Sequence, residues 1–471
     1  MTTECSQSLF EFHSLNQRKV IAKFDGGTIT SDAGILLLRE VEKRTGLIAG
    51  LAKCFSDYRD WRWIEHTVEE LLAQRVFGMC LGYEDLNDHD QLRADPLLAV
   101  AVNKADPLGL DRRQESDRGK ALAGKSTLNR LELSKSGGPD QYHKILPHEE
   151  QIDTWMVTGF IQGHECAPDE IVLDLDATDS LIHGNQEGRF FHGYYGNYCY
   201  LPLYIFSGEH LLCARLRRSN IDGADGAVEE LTRIVGQIRQ AWPQVKIVIR
   251  ADSGFCREDL MSWCEDEKNR VDYVLGLAKN ERLKKEIATE LKQAEAQFQQ
   301  TQQPTRVFKD FQYQTLKSWS RVRRVIGKGE HMQKGANPRF LVTSLSSERM
   351  DARTIYEDFY CARGDMENRI KEQQLDLFAD RTSAGTMRAN QLRLYLSSAA
   401  YILMHALRRL GLKATDLAHA QCQTIRLKLL KIGAQIRVTV RNIWISLAEG
   451  YPYANTFSAV FRNLQALPLR C

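Results

Sequence analysis

Residues 169–278 most constrain the fold, because strand and helix signals alternate there without interruption. EIVLDLDAT (170–178) is an apolar, β-branched run of strand character. Two further strands, NYCYLPLYIFSG (197–208) and HLLCARLRRS (210–219), are separated by the hairpin signal Ser207-Gly208-Glu209. Residues 223–241 carry apolar side chains at helical spacing. KIVIRADSG (246–254) is again a strand, CREDLMSWCEDEKN (256–269) a helix and DYVLGLA (272–278) a strand. The predicted order is three antiparallel strands, then helix, strand, helix and strand, which specifies an α/β sheet.

Acidic residues interrupt this pattern where burial is unfavourable. Asp174 and Asp176 stand two apart in LDLDAT and so point to the same sheet face. A carboxylate in an apolar strand destabilises it unless paired or metal-bound. Asp252 ends the IVIRAD strand just before a glycine turn, at the edge where α/β sheets place their ligands. Glu367 lies in YCARGDMENRIK (360–371). On a helix, Tyr360, Arg363, Glu367 and Lys371 fall at i, i+3, i+7 and i+11, a single face.

Each signal has an ordinary reading when taken alone. Asp252 is then a turn residue, the Tyr360 face a solvated helix, and Asp174 and Asp176 serve equally well as a salt-bridged sheet edge. Together, in this order and on these elements, they point to two-metal phosphoryl transfer. Converging carboxylates hold two cations ~3.5–4 Å apart, one activating the attacking oxygen and the other stabilising the leaving oxygen. Oxygen-only ligands suit Mg²⁺ or Mn²⁺, two ions per site. Spacing leaves the first ligand open between Asp174 and Asp176.

The 471 residues suggest about two to four structural units. Residues 1–150 read as a mainly helical domain, with a capping box at Thr67 and Glu70. The helices around 67–132 suit either a helix-turn-helix or a plain bundle for dimer contacts. The α/β part divides into 165–302, a β-rich insertion at 303–346 and a helical region at 347–400 that completes it. This is the arrangement of a ribonuclease-H-like core. Residues 401–471 form a basic C-terminal region with a predicted hairpin, TIRLKLLKI-GA-QIRVTV. Within the insertion, Trp319, Arg321, Arg323 and Arg324 alternate like a strand that lays cations on a polyanion.

Composition excludes several classes. The hydrophobic fraction of 43% and charged fraction of 26% are those of a globular protein. No apolar run approaches the ~18–20 residues that cross a bilayer, and the N-terminus lacks signal-peptide order. A cytoplasmic location is expected. Eleven scattered cysteines without a C-x-x-C pair argue against zinc ribbons and disulfide frameworks. The net charge of +2 does not announce a nucleic-acid partner. Between Arg388 and Arg441 many basic residues face one carboxylate, Asp416, which charge alone explains as a solvated surface. GKALAGKS (119–126) matches the phosphate-loop pattern, but DRRQESDR before it is no buried strand, so a nucleotide-triphosphatase is rejected. His183, His192 and His210 lack zinc-ligand spacing.

Longer stretches carry a resemblance. YEDLNDHDQLRADPLL (83–98), STLNRLE (126–132), LDLDATD (173–179), HGNQEGRFFHGYYGNYCYLPLY (183–204), ADSGF (251–255) and ARGDMENRIKEQQLDLFADRTS (362–383) resemble the group 1 DDE transposases of insertion sequences. So does the Tyr-x-x-Arg-x-x-x-Glu pattern of Tyr360, Arg363 and Glu367. The resemblance covers nearly the whole chain.

It implies a DNA transposase that cuts transposon ends and transfers the strand into target DNA, with Asp176, Asp252 and Glu367 as the metal-binding triad. Asp176-Ala177-Thr178 matches the family pattern better than Asp174, the alternative first ligand. Tyr360, Arg363, Lys371, Arg369, Arg321, Arg323 and Arg324 are the expected DNA contacts. One departure stands out: broader relatives place a lysine seven residues after the glutamate, where this chain has Gln374. The implied partners are terminal inverted repeats, target DNA and further copies of the chain, in a dimer or higher assembly at the nucleoid of a bacterial cell. A nuclease without strand transfer and a catalytically inactive DNA-binding derivative are the alternatives.

Overall fold

The computed structural model describes residues 9–133 and 138–468. Residues 134–137 of the polar stretch SKSGGPDQYHK, and Cys5 and Cys471, lie outside the described residues. The chain forms two compact units, one drawn from Met1–Ile48, Asp60–Asn129 and Ala406–Cys471, the other from Ala49–Arg59 and Arg130–His405. No described helix is long and apolar enough to cross a membrane.

The second unit is built on a nine-stranded mixed sheet. Its strands are β1 (Glu170–Ala177), β2 (Leu203–Ser207), β3 (His210–Arg215), β4 (Lys246–Ala251), β5 (Val271–Leu277), β6 (Thr305–Tyr313), β7 (Arg323–Met332) and β8 (Arg339–Thr343). They lie in the order β3-β2-β1-β4-β5-β8-β7-β6, and Gly335–Ala336 pairs with β7. β1, β2 and β3 are antiparallel neighbours, whereas β4 runs parallel to both β1 and β5. The strand-and-helix order of the sequence thus reappears in space, except that the expected strand 197–208 breaks at Leu201-Pro202 into Asn197–Tyr200, which joins a separate small sheet, and β2. The β-rich segment extends this same sheet, because β8 pairs antiparallel with β5.

Alternation along the strands sorts the two faces. Ile171, Leu173 and Leu175 of β1 and Ile247, Ile249 and Ala251 of β4 bury under helices α1 (Ala227–Ala241) and α2 (Glu258–Glu265). Val248 and Val274 bury on the opposite face against Ile355 and Tyr356. Asp174, Asp176 and Arg250 share that second face through the pleat's period of two.

The segment covering it was expected as one regular helix. It is instead continuous but unevenly wound. A wide π turn (Ile355–Tyr360) and a tight 3₁₀ turn (Cys361–Arg363) precede α3 (Gly364–Lys371), and a second π turn (Glu372–Asp376) follows. Such turns rotate the residues beyond them away from the regular i, i+3, i+7 face.

In the first unit, helix Val68–Leu81 starts at the capping box of Thr67 and Glu70. Its C-terminal carbonyls are met by Arg426, whose Nε donates to Cys80 O at 2.8 Å and Nη2 to Met79 O at 3.2 Å. Residues Cys422–Leu430 are therefore helical and π-helical, where a hairpin strand was expected. Packing against the capped helix overrides their weak alternation. The hairpin forms one step later, between Ala434–Val438 and Ile443–Leu447. Arg408 and Arg426, part of the basic run, are buried rather than solvated. The turn before Lys125–Glu132 follows a 3₁₀ segment (Glu115–Asp117) and no strand, consistent with rejecting a phosphate loop.

His89 is fully buried in this unit, 3.0 Å from Arg75 Nη1 and 3.0 Å from Gln74 Nε2. Burial, with the Arg75 cation beside it, pushes its pKa from 6.5 down to about 3. The fold thus holds the neutral ring, while the unfolded chain takes up a proton below 6.5. This contribution to stability is whole above pH 6.5 and is lost as pH falls towards 3. The urea midpoint should fall between pH 7 and pH 4, and fall less in His89→Gln; equal slopes in the two proteins would refute the assignment.

Candidate active site

The site begins with a buried ion pair. Asp174 is 3% exposed, and Arg250 grips it with two hydrogen bonds, Nε to Oδ1 at 2.5 Å and Nη2 to Oδ2 at 2.8 Å. The third Arg250 nitrogen, Nη1, donates to the Phe359 carbonyl. One guanidinium therefore ties β1, β4 and the π turn together. Burial raises the Asp174 pKa, and Arg250 works against that shift.

Two residues further along each strand the acids are differently placed. Asp176 makes no such pair; the nearest cation is Arg363, whose Nη1 lies 3.9 Å from Asp176 Oδ1. The same guanidinium donates from Nη2 to Glu367 Oε1 at 2.8 Å. Asp252 caps the 3₁₀ turn Ser253–Phe255 and accepts from Gly254 N at 2.8 Å. Burial pushes the Asp176 carboxyl up to about 6; Arg363 opposes this, and the charges of Asp252 and Glu367 add to it. Carboxylates at the end of β4 and on α3 thus act electrostatically on the one carried by β1.

Tyr360 is half-buried and packs on β5. A Cβ at Gly276 would lie 2.7 Å from Tyr360 Oη, 2.8 Å from Ser253 N and 3.1 Å from Asp252 C. Two of those atoms are backbone and cannot yield, so only glycine lets the ring lie against the turn that carries Asp252. Tyr360 thus supports the site from below. Lys371 is exposed at the end of α3. Arg369 is held by Glu209 at 2.7 Å and Glu372 at 3.0 Å. Gln374 donates to the Asp179 carbonyl at 3.2 Å, tethering the second π turn to the segment after Asp176.

The three arginines of the β-rich segment lie elsewhere. Arg323 is buried and pairs with Glu258 and Glu265. Arg324 is buried too and engages Asp310 and the carbonyls of Leu345 and Met350. Neighbouring carboxylates and carbonyls claim the donors of both, so neither is free for phosphate. Arg321 alone is largely exposed, 3.4 Å from Glu265. Reasoning from sequence missed Arg250 and Gly276. An arginine two before Asp252, in an otherwise apolar strand, was the available signal.

Among the described residues no three acidic, histidine or cysteine side chains stand close enough to ligate one metal ion as placed. At this centre Arg363 provides the positive charge between Asp176 and Glu367. The donor set still fits a hard divalent cation. It is made of oxygen alone, and the charges of Asp252 and Glu367 add to the burial that raises Asp176.

Comparison with protein families shows what this arrangement belongs to. Residues 12–469 match the model of the transposase DDE domain, group 1, and the chain belongs to that family. Comparison with curated proteins gives no match. Among solved structures, the chain is similar to the piggyBac transposase synaptic complex with hairpin DNA, determined by cryo-EM. That match has 12% identity, 85% coverage of this chain, 80% of that chain and a TM-score of 0.39.

Breaking a buried pair leaves one charge without a partner, which costs about 3–5 kcal/mol, whereas replacing both members with apolar groups is often neutral. Arg250→Met should therefore lower unfolding stability by that amount. Arg250→Met combined with Asp174→Leu should regain most of it in urea titrations. If the double variant is no more stable than the single one, the pair does not act as a unit.

Proposed function

We propose that this chain is a DNA transposase with a ribonuclease-H-like core, in which Asp176, Asp252 and Glu367 form the carboxylate centre for cutting transposon ends and joining them to target DNA. The observation that carries the reading is the placement of Arg363, 3.9 Å from Asp176 and 2.8 Å from Glu367, which are carried by elements remote in sequence. Asp174, although on the same face, is already neutralised by Arg250 and acts as structural support.

Asp176, Asp252 and Glu367 would hold Mg²⁺ or Mn²⁺, which supply activation of the attacking oxygen and stabilisation of the leaving oxygen. Every other task falls to the chain. The strand pleat fixes Asp176, the Gly254 amide fixes Asp252, and α3 presents Glu367. Arg363 exchanges its carboxylate partners for a phosphate oxygen, keeping its charge beside the reacting group. Lys371, exposed at the end of α3, meets the next phosphate along. Tyr360 keeps the Asp252 turn in place. Water and then a 3′-hydroxyl are the successive nucleophiles, and no covalent protein–DNA bond is needed. The partners are terminal inverted repeats and target DNA, bound by a dimer or larger assembly so that both ends are cut together.

The test uses purified protein, Mg²⁺ or Mn²⁺, and a plasmid carrying the genomic flanks of the coding sequence. Wild type should nick at the element ends and join pre-cleaved ends to a second plasmid. Asp176→Asn, Asp252→Asn and Glu367→Gln should each lose both activities by about a thousandfold or more while keeping their urea midpoints. Nicking without joining would identify a nuclease instead, and full activity in any of the three variants would remove that residue from the centre.

A further inference from the structure

The motif HGNQEGRFFHGYYGNYCY (183–200) has so far been given no task. It forms a small sheet of Ser180–Leu181, Phe190–His192 and Asn197–Tyr200. Part of this sheet is anchored. Cys199 and Tyr200 are fully buried, and Tyr200 Oη donates to Glu187 O at 2.5 Å. Tyr195 Oη donates to Ala177 O at 3.2 Å, which fixes the sheet beside Asp176. The charge of Asp176 is among those that raise the Tyr195 pKa, after burial and Asp179.

The rest is open and aromatic. Phe191 and Tyr198 stand directly opposite each other across the strands, their rings 5.5 Å apart. They are 58% and 42% exposed, and Tyr194 in the turn between the strands is 87% exposed. Arg189 sits over Tyr198, its guanidinium carbon 3.5 Å from the ring centroid. Arg218, also exposed, bridges to Tyr200 at the sheet's edge. Neither arginine forms a salt bridge among the described residues. The carboxylate of Glu187 accepts from Met387 N.

Exposed aromatic rings, one of them already carrying a guanidinium, beside arginines without a salt bridge fit a polyanion that offers flat π-faces. A base inside a duplex hides its faces in the stack; an unpaired base exposes them. A second copy of this chain fits less well, because a two-fold contact would set Arg189 and Arg218 against their own counterparts. We infer that the exposed Phe191–Tyr198 pair of the 180–200 sheet is a stacking surface for unpaired nucleotides of the DNA strand that enters the carboxylate centre, with Arg189 and Arg218 on the phosphates. This rests on the DNA reading proposed above.

The test measures binding by the full chain, in Ca²⁺, of a 2-aminopurine-labelled single-stranded oligonucleotide and of the same sequence as a duplex. Wild type should quench the single-strand fluorescence. Phe191→Ala and Tyr198→Ala should each weaken single-strand affinity about tenfold, at the stacking strength typical of one base, and duplex affinity by less than a factor of two. Tyr198→Phe, which keeps the ring, should bind as wild type and serves as the folding-neutral comparison. Unchanged single-strand affinity, or equal losses on both DNA forms, would overturn the inference. So would an alanine variant that alters only the oligomeric state in light scattering, which would make the face a contact between copies. A wild-type protein that binds neither form would bring down the DNA reading itself; one that binds duplex without quenching the single strand would bring down this inference alone.

Discussion

The arrangement of the second unit depends on one buried guanidinium. Arg250 reaches Asp174 with two nitrogens and the Phe359 carbonyl with the third. A charge in a sheet interior is tolerable only with a partner that satisfies it in full. Here that requirement is met from three separate stretches of chain, each leading directly to one acidic residue of the centre. Asp174 lies two residues before Asp176, Arg250 two before Asp252, and Phe359 eight before Glu367. The pair gives modest net stability at best, since desolvation offsets most of its attraction. Its consequence is geometric: β1 and β4 cannot slip in register, and the covering helix cannot slide, without stranding a charge.

The uneven winding of residues 355–376 follows from the same constraint. A regular helix would carry every fourth residue down one side. The chain here must give up the Phe359 carbonyl to Arg250, lay Tyr360 on Gly276 and still bring Arg363 and Glu367 over Asp176. A wide turn followed by a tight one absorbs the mismatch. Departures of this kind gather at functional sites because packing demands there conflict with helical periodicity.

Much of this was legible in the sequence, for identifiable reasons. The strands of the sheet announced themselves because they alternate or run apolar over five or more residues, and the Thr67–Glu70 box marked its helix because capping is a local interaction. The face shared by Asp174 and Asp176 followed from the pleat alone. Their division of labour did not, since two carboxylates of equal parity are equivalent until a partner arrives from another strand. Arg323 and Arg324 failed for the same reason: a pattern of basic residues carries no information about Glu258, Glu265 or Asp310, which neutralise them from elsewhere in the fold. Residues 422–430 alternate weakly enough to pass for a strand, and only the unmet carbonyls at the end of helix Val68–Leu81 make Arg426 and its neighbours helical.

Charge balance at the centre then links its two proposed ligands. Asp174 and Arg250 cancel each other, so they contribute little field beyond their own contact. Asp176, Asp252 and Glu367 share the field of a single guanidinium, and burial, with the charges of Asp252 and Glu367 adding to it, raises the Asp176 carboxyl to about 6. A phosphodiester brought into that field would meet carboxylates at close range in a poorly screened setting, where like charges repel strongly. On the proposed reading the DNA strand and the divalent cations would not bind independently: each cation added would remove repulsion against phosphate, and each phosphate would add ligands and charge that favour the cation. Arg363 is suited to that exchange, because its charge is permanent and its two outer nitrogens can pass from carboxylate to phosphate without a proton changing hands.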